Sequence, residues 1–232
     1  MIKKHIPNTI TCCNLISGCI ATHFAFFGNY QMAFLFIILG AVFDFFDGMS
    51  ARLLGVSSPI GKELDSLADV ITFGMAPSAM IFCLLFSQSH FDKFGFIGTC
   101  LPYTAFVIAA FSALRLAKFN LDERQTSSFI GLPTPANALF WASLIVGSEY
   151  ILTSSTINML CIVILVFIMS FLLVAEIPMF ALKFKHWGWK ENRVKYIFIL
   201  SCIPLLLILR TSGFAAIIAW YVVLSAITNK KA

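Results

Sequence analysis

The chain has 232 residues, of which 59% are apolar and only 12% charged, with a mean hydropathy of +0.91 and a formal net charge of +5. A soluble domain averages about 45–50% apolar and about 25% charged residues. Too little polar material is present to coat a water-soluble globule, and the same apolar excess excludes a disordered chain. The seven Cys are odd in number and lie in apolar runs, which does not suggest a disulfide framework. A polytopic membrane protein remains.

A helix needs about 20 mostly apolar residues to cross a hydrocarbon core of roughly 30 Å. In chain order such runs fall at about 9–28, 31–53, 65–87, 95–119, 133–152, 156–177, 194–210 and 213–229. The first follows Lys3 and Lys4 as a signal peptide would, but it is long, lacks a clear cleavage site and leads straight into the second, so it is read as retained. Stretches such as Phe34 to Leu39 do not alternate, which excludes barrel strands. The expectation is an all-α, polytopic transmembrane helix bundle of about eight spans, forming one domain over residues 1–232. No Gly/Ser-rich linker divides it, and no strong internal repeat is present.

The basic residues orient this bundle. Lys3, Lys4, Arg52, Lys62, Arg115, Lys118, Arg124, the 183–195 cluster, Lys230 and Lys231 fall on one side, making 14 of the 16 Lys and Arg. Lys93 and Arg210 fall on the other. The positive-inside rule then places both termini in the cytoplasm, which an even number of spans satisfies. The net charge is a topology signal, and no nucleic-acid motif accompanies it. Trp187 and Trp189 read as interfacial anchors. His5, His23, His90 and His186 are scattered without ligand spacing. Pro77, Pro102 and Pro204 lie within spans and are expected to kink them, Gly74 and Pro77 bending the third span over the site.

Acidic residues inside spans are costly and default to function. Asp44 and Asp47 sit in the second run, and Asp65 and Asp69 open the third. At about 100° per residue, Asp44, Asp47, Gly48 and Ala51 share one helix face. Gly61, Asp65 and Asp69 share another stripe. The turn-like stretch from Leu54 to Pro59 lets the two helices pack antiparallel, so that the carboxylates converge near the cytoplasmic surface. Four such groups do not all stay ionised unaided. All-oxygen ligation suits Mg²⁺ or Mn²⁺, with no Cys/His cluster to suit zinc, and two metals roughly 3.5–4 Å apart stabilise in-line displacement at phosphorus. Small residues on the acidic faces fit a substrate path, though small-residue packing between helices gives the same pattern.

The residues from Asp44 to Asp69 read D-x2-D-G-x2-A-R-x8-G-x3-D-x3-D. This resembles the signature of the CDP-alcohol phosphatidyltransferase family. The resemblance implies transfer of a phosphatidyl group from a CDP-lipid to an alcohol with release of CMP, two divalent cations (Mg or Mn) as cofactors, and a homodimer. It implies Asp44, Asp47, Asp65 and Asp69 at the metals, Asp69 also as general base, and Gly48, Ala51, Arg52 and Gly61 around the CDP-lipid. Three further stretches are similar to the integral-membrane phosphatidylserine synthases within that family: Ile6 to Thr11 with Asn14 to Gly18, Asp65 to Pro77, and Arg115 to Asn120 with Phe129 to Pro135. They imply CDP-diacylglycerol and L-serine as substrates. Lys118 stands where many members carry Arg.

Serine would bring a carboxylate. Arg115 and Lys118, at i and i+3, are candidates to bind it, although either can be an ordinary membrane-edge cation. Asn120, Thr134 and Asn137 are possible polar contacts or loop caps. Two other readings stay open: the same chemistry with glycerol 3-phosphate or inositol as acceptor, and a cation- or proton-coupled transporter. The missing repeat and the off-centre cluster count against the transporter.

Overall fold

The computed structural model describes residues 5–56, 58–121, 129–179 and 188–228. Lys3, Lys4, Arg124, Lys183, Lys185, Trp187, Lys230 and Lys231, which carry orientation and anchoring, lie outside them, as does His186. Helices α1 (His5–Phe26) and α2 (Tyr30–Leu54) form an antiparallel pair. The turn between them needs Gly28 at φ 71°, and Asn29 caps α2 by accepting a hydrogen bond from the Met32 N–H at 3.2 Å. The face that α1 buries is small and polar, with Thr11, Asn14, Ser17, Gly18, Ala21 and Ala25. Such a face lets backbones approach closely inside a membrane.

Gly55, at φ 61°, ends α2 in the left-handed conformation and returns its N–H to α2 carbonyls. Ser58 then caps α3 (Pro59–Asp69), accepting from the Gly61 N–H at 3.0 Å, and Pro59 occupies the first turn. The expected turn therefore forms from the residues that predicted it.

The third run is not one regular helix. A π-helical turn, Val70–Met75, separates α3 from α4 (Ala76–Phe86). It lodges between α1 and α2 because two glycines leave room. A Cβ on Gly18 would lie 2.7 Å from Thr72 Cα and 2.8 Å from its N, and one on Gly40 would meet Thr72 Cγ2. The Thr72 hydroxyl donates to the Asn14 carbonyl at 3.0 Å, pinning the turn to α1. Extra-residue turns of this kind re-aim side chains at functional sites. The bend expected at Gly74 and Pro77 is thus a change of helical register before Pro77, which then sits harmlessly in the first turn of α4.

A short 3-10 turn, α5 (Gly95–Cys100) and a second 3-10 turn opened by Pro102 lead into α6 (Val107–Leu121). Two-residue strands β1 (Phe129–Ile130) and β2 (Pro178–Met179) pair antiparallel, and the Gly131 and Leu132 N–H groups donate to Ile177 and Leu172 carbonyls at 2.9 Å. This clamp ties the start of α7 (Thr134–Leu152) to the end of α8 (Thr156–Val174). Helices α9 (Trp189–Leu209), with Pro204 inside it, and α10 (Gly213–Thr228) fold back on each other at Arg210.

Among the described residues, six helical stretches are long and apolar enough to cross a membrane. The sequence reading divides one of them, Asn192–Thr228, at Arg210, and it includes α7, which is not among the six. Helix α7 is the inner rod: Trp141, Ala142, Ser143 and Asn137 are fully buried. Large apolar side chains on α8 and α9, such as Phe171 and Leu207, point outward, as an integral membrane protein requires.

Candidate active site

Asp44 and Asp47 are one turn apart on α2, and Asp65 faces them from α3. Each offers a carboxylate oxygen, and these oxygens all lie within 4.8 Å of one another. Asp65 Oδ1 is buried without a hydrogen-bond partner among the described residues. An orphaned oxygen in a set of hard oxygen donors fits Mg²⁺ or Mn²⁺. The α2–α3 turn explains the convergence, since it reverses the chain within four residues of each acidic helix end.

Asp69 stands one turn further along α3, within electrostatic reach of the other three, and outside the close cluster. It is 7% exposed, and Asn14 Nδ2 donates to its Oδ1 at 3.2 Å. Thr11 makes the parallel contact, donating to Asp47 Oδ2 at 2.7 Å. Helix α1 therefore orients one carboxylate from each acidic helix. Both donors are side chains missed by sequence reasoning. A signal existed, because Thr11, Asn14 and Gly18 recur every three to four residues on one face of a mainly apolar helix.

Beside the three carboxylates opens a cleft of about 210 Å³, lined by Pro7, Asn8, Thr11 and by Gly48, Ala51 and Gly61, with Lys62 at its edge. Gly48 faces open space, so its missing side chain makes room in the cleft and is not explained by helix packing. Gly61 is tighter, with Asn8 Oδ1 and Ser58 Oγ each 3.0 Å from where a Cβ would sit. Arg52, expected on the same wall, is exposed in the last turn of α2 and does not line the cleft.

The basic pair on α6 separates. Arg115 is buried, with Nη1 3.5 Å from Thr134 Oγ1 and its guanidinium over the Phe119 ring, and it lies within electrostatic reach of Asp69. Lys118 is exposed. Asn120 bridges α6 to α3, donating to Ser66 Oγ and accepting from Lys62 Nζ, both at 2.8 Å.

A family model described as CDP-alcohol phosphatidyltransferase matches residues 4–157. A CDP-diacylglycerol–serine O-phosphatidyltransferase of Bacillus subtilis is 36% identical over 184 residues, covering 79% of this chain and 92% of that protein. Proteins of the same name from Saccharomyces cerevisiae and Methanocaldococcus jannaschii are 36% and 33% identical, covering 65% and 66% of this chain and 55% and 64% of theirs. The matched region holds all four aspartates and the whole α1–α2–α3 cleft. With its acidic helix pair and the family match over more than half its length, this chain belongs to the CDP-alcohol phosphatidyltransferase family.

Proposed function

We propose that this protein transfers a phosphatidyl group from CDP-diacylglycerol to L-serine, giving phosphatidylserine and CMP. The observation that carries the reading is the close triad of Asp44, Asp47 and Asp65 opening onto a glycine-lined cleft, with a fourth carboxylate, Asp69, held beside it by Asn14. The names of the relatives support serine as acceptor.

The donor's tails stay in lipid while its nucleotide enters the cleft, where Gly48, Ala51 and Gly61 leave space for it and Arg52 meets it at the rim. Asp44, Asp47 and Asp65, with Asp69 adjoining, would hold two divalent cations. When bound, these offset charge on the diphosphate and on departing CMP. Thr11 fixes the rotamer of Asp47. The serine hydroxyl attacks the phosphorus bonded to diacylglycerol, and a P–O bond forms as the one to the CMP phosphate breaks. The hydroxyl proton passes to Asp69, whose orientation Asn14 fixes. Arg115 takes the serine carboxylate, and Lys118 at the surface draws serine in. Direct attack inverts configuration at phosphorus. The site faces the cytoplasm in a single-domain chain that pairs as a homodimer, a reading supported by the distribution of Lys and Arg and by the family.

Purified protein given CDP-diacylglycerol and labelled serine, glycerol 3-phosphate or inositol tests this. Serine-dependent CMP release that EDTA abolishes and Mg²⁺ or Mn²⁺ restores is the expected result. Transfer to another alcohol alone would replace the acceptor, and no CMP with any acceptor would remove the chemistry.

The two kinds of glycine give a separate expectation. Gly48→Leu fills the cleft and raises the KM for CDP-diacylglycerol by at least about tenfold, leaving the thermal midpoint in detergent unchanged, because nothing lies within 4 Å of its Cβ position. Gly18→Leu does the reverse, destabilising by about 1–3 kcal/mol or more through the backbone of Thr72. Differential scanning fluorimetry beside CMP release separates the two.

A further inference from the structure

Beside Asp69 the fold buries a group of polar side chains that keep atoms without hydrogen-bond partners among the described residues. Asn137, on α7, is 0% exposed, and among the described residues neither its Oδ1 nor its Nδ2 finds a hydrogen-bond partner. Arg115 is 8% exposed with Nε unpartnered, and Ser112, one turn away on α6, is fully buried with Oγ unpartnered. Leaving a buried amide wholly unpaired costs about as much as several mutations together, and native proteins rarely tolerate it unless a ligand or water completes the site.

Helix geometry sets the groups near one another. Asn137 follows Thr134 by three residues and shares its face of α7, and Thr134 is the residue that Arg115 reaches. Helices α6 and α7 both pack against the π-turn and against α8. Gly74 in that turn lets α6 come close, with Ser112 Cβ 3.2 Å from where a Gly74 Cβ would be. The β1–β2 clamp fixes the start of α7, and so the height of Asn137.

We propose that Ser112, Arg115 and Asn137 form a polar subsite adjoining Asp69 that takes the acceptor alcohol as a zwitterionic amino acid, Asn137 being the residue that recognises its ammonium group. This rests on the phosphatidyl-transfer reading above. Arg115 offers only donors, which suits a carboxylate but not an ammonium. Asn137 supplies the missing acceptor in Oδ1, and its Nδ2 adds a donor to the carboxylate. Ser112 Oγ takes a further ammonium hydrogen. The charge also fits. Among the described residues Arg115 is the single buried basic side chain, enough for one carboxylate and too little for a phosphate dianion. A neutral polyol would bring the guanidinium no carboxylate, leaving it only the nearby charge of Asp69.

The test compares L-serine with 3-hydroxypropanoate, which keeps the hydroxyl and carboxylate and lacks the ammonium. Purified full-length protein with CDP-diacylglycerol is assayed for CMP release. The wild type prefers serine, in kcat/KM, by at least about 100-fold, because a site built to hydrogen-bond a group rejects the analogue lacking it. In Asn137→Ala the KM for serine rises at least about tenfold, the KM for CDP-diacylglycerol holds, and the preference over 3-hydroxypropanoate falls at least about tenfold. Ser112→Ala shows the same pattern more weakly. A residue that merely supported the fold would lower both acceptors together. An unchanged preference ratio, or an unchanged serine KM, overturns the proposal and shows that water alone fills the pocket. If Asn137→Ala does not accumulate, Asn137→Ser is judged by the same ratio. Wild-type protein that ignores serine but uses another alcohol instead defeats the acceptor reading itself, before any variant is made.

Discussion

Asp69→Asn lowers kcat by about 10²–10⁴-fold, the range that a positioned general base supplies, while the Michaelis constants for both substrates stay within about twofold. The substitution is isosteric and removes the negative charge together with the ability to take a proton. Burial makes it informative: at 7% exposure, bulk water does not readily replace the carboxylate as proton acceptor. Folding does not suffer, since the variant takes a charge out of a site where four carboxylates repel one another. The thermal midpoint in detergent is therefore unchanged or higher, and that measurement separates lost chemistry from lost structure. Asn14→Leu serves as the companion. It deletes the 3.2 Å hydrogen bond to Asp69 Oδ1 and leaves the base present but unaimed, so kcat falls by a smaller factor of about ten. A near-normal rate in Asp69→Asn would remove Asp69 from the mechanism. A full loss in Asn14→Leu at unchanged stability would instead give α1 a direct part in the reaction.

The acidic helix pair was legible because its determinants are local. Spacings of three and four place carboxylates on one face whatever surrounds the helix, and the turn from Gly55 to Pro59 announces itself through a left-handed glycine, a serine cap and a proline. The π-turn was not legible. Val70 to Met75 is an ordinary apolar run with one glycine, and its register change depends on room left by Gly18 and Gly40 on two other helices. The roles of Thr11 and Asn14 were hidden for the same reason, as each depends on a partner 36 or 55 residues away. Arg115 and Lys118 show the limit of facing arguments. Three residues apart on a helix still leaves about 60° between side chains, and the edge of the bundle falls between them, burying one and exposing the other. Arg52 is similar: its position in the pattern suggested the cleft wall, while its place in the last turn of α2 leaves it at the surface, near the negative end of the helix dipole.

Neutralising one member of the close triad, by Asp44→Asn, Asp47→Asn or Asp65→Asn, raises the stability of metal-free protein and abolishes transfer. Two carboxylate charges no more than 4.8 Å apart repel by on the order of 3 kcal/mol at an effective dielectric constant of about 20. Part of that is relieved in any case by proton uptake, so the gain is on the order of 1 kcal/mol, or a midpoint about 2–4 °C higher for a chain of this size. Asp65→Asn should gain more than Asp47→Asn, because Asp65 Oδ1 is buried with no hydrogen-bond partner among the described residues. Asp47→Asn should gain least, because it gives up a charged acceptor for the Thr11 hydroxyl. Divalent cation reverses the order. Millimolar Mn²⁺ stabilises the wild type by mass action on the folded state and leaves the variants where they were, so the wild type overtakes them as the ion is added. Thermal melts across an EDTA-to-Mn²⁺ series, with Mn²⁺ binding followed by electron paramagnetic resonance, read this without reference to turnover. Wild type and variants responding to Mn²⁺ alike would mean that the ion binds elsewhere. A metal-free wild type more stable than all three variants would mean that the three side chains are held together by the fold as hydrogen-bonding groups, with no stored repulsion for a cation to relieve.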